Sequence, residues 1–444
     1  MRILLLYVSM PEDIKVPEFG KKRRVMFPSL TLAQLASLFP DDYDIILCNE
    51  DVEDIPYDEE FDMVGISFYG IAAAQAFLVA KKFRDKGIPV VFGGPAVTTS
   101  PELCKSFCDS MVIGEAETSI KRLISDLESG KLAPRYSADY LADISSLPVP
   151  RYNLLNKDHY MGVFPVQTAR GCTFQCSFCS IAKLNNYSVR YRPIDDVLRD
   201  VKAATSSSGT NQIFFVDDNI NMNPKRAKEL FEALIPLKIE WHGFATSIIG
   251  KQPELLRLAS ESGCRMLFIG FESLNYENLQ NLNKPFNRPD EYKKIISTIH
   301  DHGIHIMPSF IFGLDGEDQG VFERTLNFIE SNRLSFPLFH ILTPIPGTPL
   351  YEKLESEGRI LEKDLSHYDG NHVVFRPNNM ESEHLQRGFD WIINSTYSLP
   401  SIFRRTVLRH PIGGWRALKT QIFVAGINLY YWRKAQIEKS SRAS

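Results

Sequence analysis

Thr168-Ala-Arg-Gly-Cys-Thr-Phe-Gln-Cys-Ser-Phe-Cys-Ser180 places three cysteines, Cys172, Cys176 and Cys179, in a C-x3-C-x2-C run. Close thiolates suit a soft metal centre, and a cluster held by three protein ligands keeps one iron open for a substrate or cofactor. A structural zinc usually takes four ligands, and no second Cys-x-x-Cys or His-x-x-x-His pair follows to complete one. The spacing therefore fits a redox cluster, and the fold around it must bring further polar groups to the same place.

Upstream of the run, short apolar stretches at residues 3–8, 45–48, 63–67, 90–92 and 110–113 alternate with amphipathic stretches at 72–86 and 115–129. Continuous Val/Ile-rich strands with intervening helices predict a parallel sheet covered on both faces, a doubly wound Rossmann-like α/β domain over residues 1–130. Such sheets bind ligands at the carboxyl ends of their strands. The residues expected there are Ser67, Phe68 and Tyr69, then Gly93 and Gly94, then Gly114 and Glu115. Glycines after a strand let backbone amides approach a bulky ligand, although Gly93-Gly94 read alone is a turn. No G-x-G-x-x-G follows the first strand, so a nicotinamide site has little support.

Residues 131–159 contain Pro134, Pro148 and Pro150 and read as a connector. From residue 160 to 353 a strand-then-helix pattern recurs six times, which predicts a partial (β/α)6 barrel of the TIM type whose chemistry lies where strands finish. The cluster run follows the first strand. Later strands end in Phe214-Phe-Val-Asp-Asp-Asn219, Phe268-Ile-Gly-Phe-Glu-Ser273 and Pro308-Ser-Phe-Ile-Phe-Gly313, and the last leads into Thr343-Pro-Ile-Pro-Gly-Thr348. Carboxylates at these ends accept hydrogen bonds from amino and hydroxyl groups. Asp217 and Asp218 could equally cap the helix that Pro224 opens, and a Pro-Gly pair is often only a turn.

The Arg-Gly before Cys172, the aromatic Phe178 before Cys179 and the order of the later strand ends together resemble the radical S-adenosylmethionine (SAM) superfamily. Residues 88–98 and 112–117 resemble the cobalamin-binding domain that precedes many such barrels. The resemblance implies a [4Fe–4S] cluster on Cys172, Cys176 and Cys179, with SAM on the open iron. It also implies Phe178 against adenine, backbone atoms of Ile345 and Gly347 on the same ring, and Glu272 on the SAM amino acid or ribose. Ser309 joins these cofactor contacts, and Asp217 and Asp218 are expected near the reacting centre as catalytic residues. Cobalamin would lie on Ser67, Phe68, Tyr69, Gly93, Gly94, Gly114 and Glu115. The histidine of the mutase-type Asp-x-His-x-x-Gly is absent, since the first histidine is His159, so the cofactor is expected base-off. By resemblance the reaction is cleavage of SAM to a 5′-deoxyadenosyl radical, hydrogen abstraction, and methyl transfer from methylcobalamin to an unactivated carbon. Cyclisation or rearrangement without methyl transfer is the rival, and a regulator without turnover a third reading. An external electron donor such as flavodoxin or ferredoxin is implied.

The remaining chain, 354–444, resembles the helical C-terminal extension of the subgroup that includes hopanoid methylases. Its last 44 residues carry nine Lys/Arg against one Glu, a charge of +8 beside −12 on the preceding 400. Trp415, Leu418, Ile422, Ala425, Leu429 and Trp432 recur at helical spacing among Arg404, Arg405, Arg409, Arg416, Lys419, Arg433 and Lys434. That pattern fits either a helix on an anionic membrane with a lipid-like small-molecule substrate, or a last helix packed on the barrel. Lys21-Lys-Arg-Arg24 reads as a solvated loop. Scattered Cys48, Cys104, Cys108 and Cys264 favour a reducing, cytoplasmic setting, with peripheral contact at the inner membrane face if the tail binds lipid. An acidic body without a basic, aromatic stripe disfavours nucleic acid.

Overall fold

The computed structural model describes residues 1–9, 24–406 and 424–433. These divide into two compact units. The first comprises Met1–Arg170, Val189–Val216 and Asp364–Tyr368; the second comprises Gly171–Ser188, Asp217–Lys363 and the described residues from Asp369 on. The four segments expected from the sequence are thus cut differently. The 131–159 connector folds with the first unit, and a short turn of the C-terminal extension joins that unit too.

In the first unit, β1 (Arg2–Tyr7), β2 (Asp44–Asn49), β3 (Met63–Ser67), β4 (Val90–Gly93), β5 (Ser110–Ile113) and β6 (Arg135–Ser137) form a sheet in the order β2-β1-β3-β4-β5-β6. Every pairing is parallel. Ile3, Leu4, Leu5 and Leu6 are all buried, as a strand covered on both faces requires. Each such side chain contributes about 1.5–3 kcal/mol on burial. Strand β6 lies inside the expected connector. It is three residues long, follows Pro134 and occupies the sheet edge, where proline is tolerated, and so lacks the periodicity that marks the others. The order reverses at β1 and β3, the switch point at which such sheets take ligands.

Also in this unit, β7 (Val163–Val166) pairs in parallel with β10 (Gln212–Phe215), and β8 (Ala169–Arg170) pairs antiparallel with β9 (Arg190–Tyr191). In the second unit β11 (Glu240–Ala245), β12 (Cys264–Glu272), β13 (His305–Phe312) and β14 (Leu338–Ile341) run parallel in that order. Strands β7 and β10 to β14 are the six predicted for the partial barrel, each within a few residues of expectation. Phe312 packs on Phe322 of the helix Val321–Ser331, and Phe339 packs on Phe312. Phe339 and Ile341 therefore face the helical layer, and by alternation Leu338 and His340 face the barrel interior.

The described part of the tail contradicts one expectation. Arg405, placed among the basic residues of the tail pattern, is fully buried. Its guanidinium donates to the carbonyls of Leu334 (2.9 Å), Ser335 (2.8 Å) and Thr396 (2.7 Å) and to Asn428 Oδ1 (3.1 Å). Tyr431 stacks on Tyr397 at 4.9 Å. Basic character alone cannot distinguish a solvated arginine from one that satisfies the carbonyls at an element's end, and here the second holds. Ala425, Leu429, Trp432 and Arg433 are described, whereas Trp415, Leu418, Ile422, Arg409, Arg416, Lys419, Lys434 and Lys21 to Arg23 lie outside the described residues. Among the described residues no helix is long and apolar enough to cross a membrane.

Candidate active site

The cluster run forms a loop of the second unit, and its first residue shows why the sequence must read Arg-Gly-Cys. Gly171 has φ +103°, and a Cβ there would fall 2.2 Å from the Ser188 carbonyl oxygen. Its N–H donates to Asp218 Oδ2 at 2.8 Å. Further along, Ser177 N donates to the Leu282 carbonyl (2.9 Å), Asn283 Nδ2 to the Gln175 carbonyl (2.7 Å), and Leu350 N to the Ser177 carbonyl (3.0 Å). Phe174 stacks on Phe286 with centroids 4.1 Å apart.

Burial pushes all three thiols up, Cys176 to about 11, and neighbouring thiols and carboxylates add to the rise. Iron supplies the positive charge that such thiolates lack. Among the described residues no three His, Cys, Asp or Glu side chains close around one ion. Three cysteine thiols are the donor set of a cubane that leaves one iron open.

Glu272 ends β12 at φ +63°, where the pairing with β13 slips between Gly270 and Glu272. The carboxylate folds back over Gly270, whose Cβ would lie 2.0 Å from Glu272 Oε1. Lys284 Nζ donates to that oxygen at 2.6 Å and to the Gly270 carbonyl at 3.0 Å. Burial alone would lower the Lys284 ammonium, but Glu272 and then Cys176 hold it above its ordinary value. Asn287 Nδ2 donates to the Gly270 (2.8 Å) and Phe271 (3.0 Å) carbonyls, so the strand end is pinned from outside. Ser309 is buried opposite Gly270 on β13. Asp217 is buried, whereas Asp218 is exposed and anchors the root of the cluster loop. Residues 345–348 form a turn, with Thr348 N bonded to the Ile345 carbonyl. Gly347, at φ +83°, has open space on its Cβ side and accepts from Lys183 Nζ at 2.7 Å. Phe178 is half-buried. All these residues belong to the second unit.

In the first unit the expected ligand residues separate by role. Phe68 is buried edge-on against Phe92, 5.0 Å between centroids, and so belongs to the core. Gly94, at φ +91°, passes so close to Ser67 that a Cβ would fall 2.7 Å from its Oγ. Tyr69 is exposed, Gly93 has room for an ordinary side chain, and Gly114, at φ +83°, faces open space. A cradle with open glycine backbone fits a large planar cofactor. Glu115 differs: both its oxygens are taken by arginines within the same unit.

Three residues of the second unit escaped sequence reasoning. Lys284 and Asn287 lie in a loop after a short helix, and no local pattern marks a lysine that will be buried. His340 is an exposed residue on the interior face of β14, alternating with buried neighbours, a period-2 signal too short to read alone.

Residues 166–329 match the description "Radical SAM superfamily", 25–124 match "B12 binding domain", and 348–417 match a domain of unknown function. Bacteriochlorophyllide d C-12(1)-methyltransferase of Chlorobaculum tepidum is 33% identical over 384 residues, covering 85% of this chain and 84% of that protein. Hopanoid C-2 methylase of Rhodopseudomonas palustris is 27% identical over 353 residues, 76% of this chain and 66% of the relative. The fold matches the radical SAM methyltransferase TsrM of Kitasatospora setae with tryptophan substrate and a SAM analogue bound. That match has a TM-score of 0.69 at 13% identity and covers 100% of this chain and 99% of the other.

Proposed function

The chain belongs to the cobalamin-dependent radical SAM methyltransferases, and from that premise we propose that its substrate is a bulky, mostly apolar small molecule methylated at an unactivated carbon. The bound cluster, SAM and cobalamin supply the radical and the methyl group. Cys172, Cys176 and Cys179 hold the cluster, and Asp218 keeps the root of their loop in place through Gly171. Glu272, with Oε1 fixed by Lys284, presents Oε2 to the amino group or ribose of SAM. Phe178, Ile345 and Gly347 take the adenine side, with Ser309 beneath and buried Asp217 near the reacting carbon. Tyr69 and the backbone at Gly93, Gly94 and Gly114 receive the corrin.

The observation that carries the substrate class is the interior face of the second unit. By alternation it presents Phe244, Phe268, Met307 and Leu338, with His340 as its exposed polar group. Such a surface favours an extended apolar body with a polar handle. The two relatives bear the names of a bacteriochlorophyllide and a hopanoid, which are candidates of that kind. A flavodoxin or ferredoxin serves as electron donor, in the cytoplasm. Anaerobic incubation of the reconstituted protein with methyl-deuterated SAM, reductant and each candidate, followed by mass spectrometry, tests the reading. Gain of one labelled methyl group supports it; a product without the added CH2 unit points to cyclisation, and no turnover of either candidate removes the substrate class.

A further inference from the structure

The loop that carries the three cysteines leaves the first unit at Arg170 and returns at Val189, so β8 and β9 are its two roots. Arg170 and Arg190 are directly opposite each other in that two-stranded ribbon. Side chains of opposed residues emerge on the same face, and two like charges there repel. Both arginines are mostly buried, which removes the water that would screen them.

Glu115 resolves the conflict. Its Oε1 accepts from Arg170 Nη1 at 2.7 Å and Arg190 Nη2 at 2.8 Å, and its Oε2 accepts from Arg190 Nη1 at 2.7 Å and the Ala142 N–H at 2.6 Å. Glu117 takes Arg170 Nη2 at 2.9 Å, so two carboxylates balance two guanidiniums. Burial would raise the Glu115 carboxyl, but the arginines hold it down to about 2, so it is ionised throughout the ordinary pH range. Glu115 also follows Gly114, the open glycine at the end of β5, whose N–H is fixed by Thr98 Oγ1 at 3.0 Å.

We propose that Glu115 is a positioning residue that fixes both roots of the cluster loop, and that it thereby couples occupancy of the corrinoid cradle at Gly114 to retention of the iron–sulfur cluster. The coupling rests on the corrinoid site proposed above; the fixing of the roots does not. A ligand that orders the Gly114–Glu117 turn favours the closed ribbon, and a closed ribbon favours a loop ready for iron. Linkage makes the effect reciprocal, so the factor by which cobalamin tightens cluster binding at equilibrium must equal the factor by which the cluster tightens cobalamin binding.

The test uses the full-length reconstituted protein and two readouts independent of turnover. These are the equilibrium affinity for the cluster, from chelator competition followed by the visible absorbance, and the Kd for hydroxocobalamin with and without the cluster. Wild type is expected to show matching shifts of about fivefold or more, the usual range of such couplings. Glu115→Gln should hold its cluster less tightly and lose both shifts while still binding cobalamin. Adding Arg190→Gln to that variant removes the opposed charge and should restore cluster affinity. Should Glu115→Gln fail to fold, Arg190→Gln alone, which severs one root from Glu115, must reduce both shifts. Unchanged cluster affinity in Glu115→Gln, or no recovery in the double variant, overturns the latch. Absence of cobalamin binding to wild type overturns the corrinoid reading and the coupling, while the cluster-affinity arm still decides whether Glu115 fixes the roots.

Discussion

The strand ends of the two units solve opposite problems. In the first unit the ligand-facing rim is mostly backbone, with Gly93 and Gly114 leaving space, and its carboxylate Glu115 is matched by arginines. In the second, the rim carries ionisable side chains on which burial acts: three thiols and Glu317, whose ionisation it opposes, and the buried Lys284–Glu272 pair. A rim of backbone binds by shape and costs the fold little. A rim of buried ionisable groups ties the fold to their protonation and pairing, so the second unit should respond far more to substitution and to pH.

The largest effect is expected at the thiols. Changing Cys172, Cys176 or Cys179 to Ala leaves two ligands for a cluster that needs three, and production of 5′-deoxyadenosine should vanish. Normal product from any of the three variants would show that the loop does not hold the cluster, and the contrast between the units would fail.

Next comes Arg405→Met. It strips hydrogen bonds from the Leu334, Ser335 and Thr396 carbonyls in a fully buried setting, and leaving such groups unsatisfied costs about 3 kcal/mol or more in total. Thermal unfolding should show the loss. A Tm within about 1 °C of wild type would mean that the guanidinium is dispensable, and a lipid-facing role for the tail would regain ground.

Lys284→Met should weaken SAM binding as well as folding, because it leaves the buried Glu272 carboxylate without its partner. The methionine keeps the volume but releases Glu272 Oε1, so the carboxylate loses the orientation that points Oε2 outward. Affinity for SAM, measured by equilibrium dialysis on cluster-loaded protein, should weaken by about tenfold, the worth of one charge-assisted hydrogen bond. Unchanged affinity would make the pair purely structural.

What was legible in the sequence follows the same division. Continuous apolar runs alone located the parallel strands of the first unit, because Ile3 to Leu6 must be apolar on both faces whichever ligand binds. The cysteines were legible because their chemistry is carried by spacing. The partners of Glu115 were not: Arg170 and Arg190 lie 55 and 75 residues away, and only the folded ribbon sets them opposite each other. Glu115 was read as a cofactor contact from its place after a strand, a place it does occupy, while its carboxylate serves the ribbon. Lys284 and Arg405 were obscured for a related reason. Long basic side chains are usually solvated, and burial of the charge depends on acceptors distant in the chain.

The smallest effect is a slope. Glu317 Oε2 accepts from the Gly313 (2.8 Å) and Leu314 (3.1 Å) N–H groups, yet burial outweighs those bonds and pushes the carboxyl up to about 8. An unfolded glutamate titrates near ~4.3. Between these values the folded chain retains a proton that the unfolded chain has released, so this group's contribution is fully present below ~4.3 and declines as pH rises toward 8. Glu115 is displaced the other way, to about 2, and its contribution is constant across that window. Buried His242, lowered to about 4, adds stability as pH rises through the range of a free histidine, so the wild-type curve alone mixes opposing terms. The difference between wild type and Glu317→Gln isolates one of them, because glutamine keeps an oxygen for both N–H groups and has no proton to lose. From about pH 5 to about pH 8, wild-type Tm should fall relative to the variant. Parallel curves would mean that Glu317 is ionised in the fold at neutral pH, and the second unit would then hold one fewer group whose ionisation burial suppresses than the contrast with the first requires.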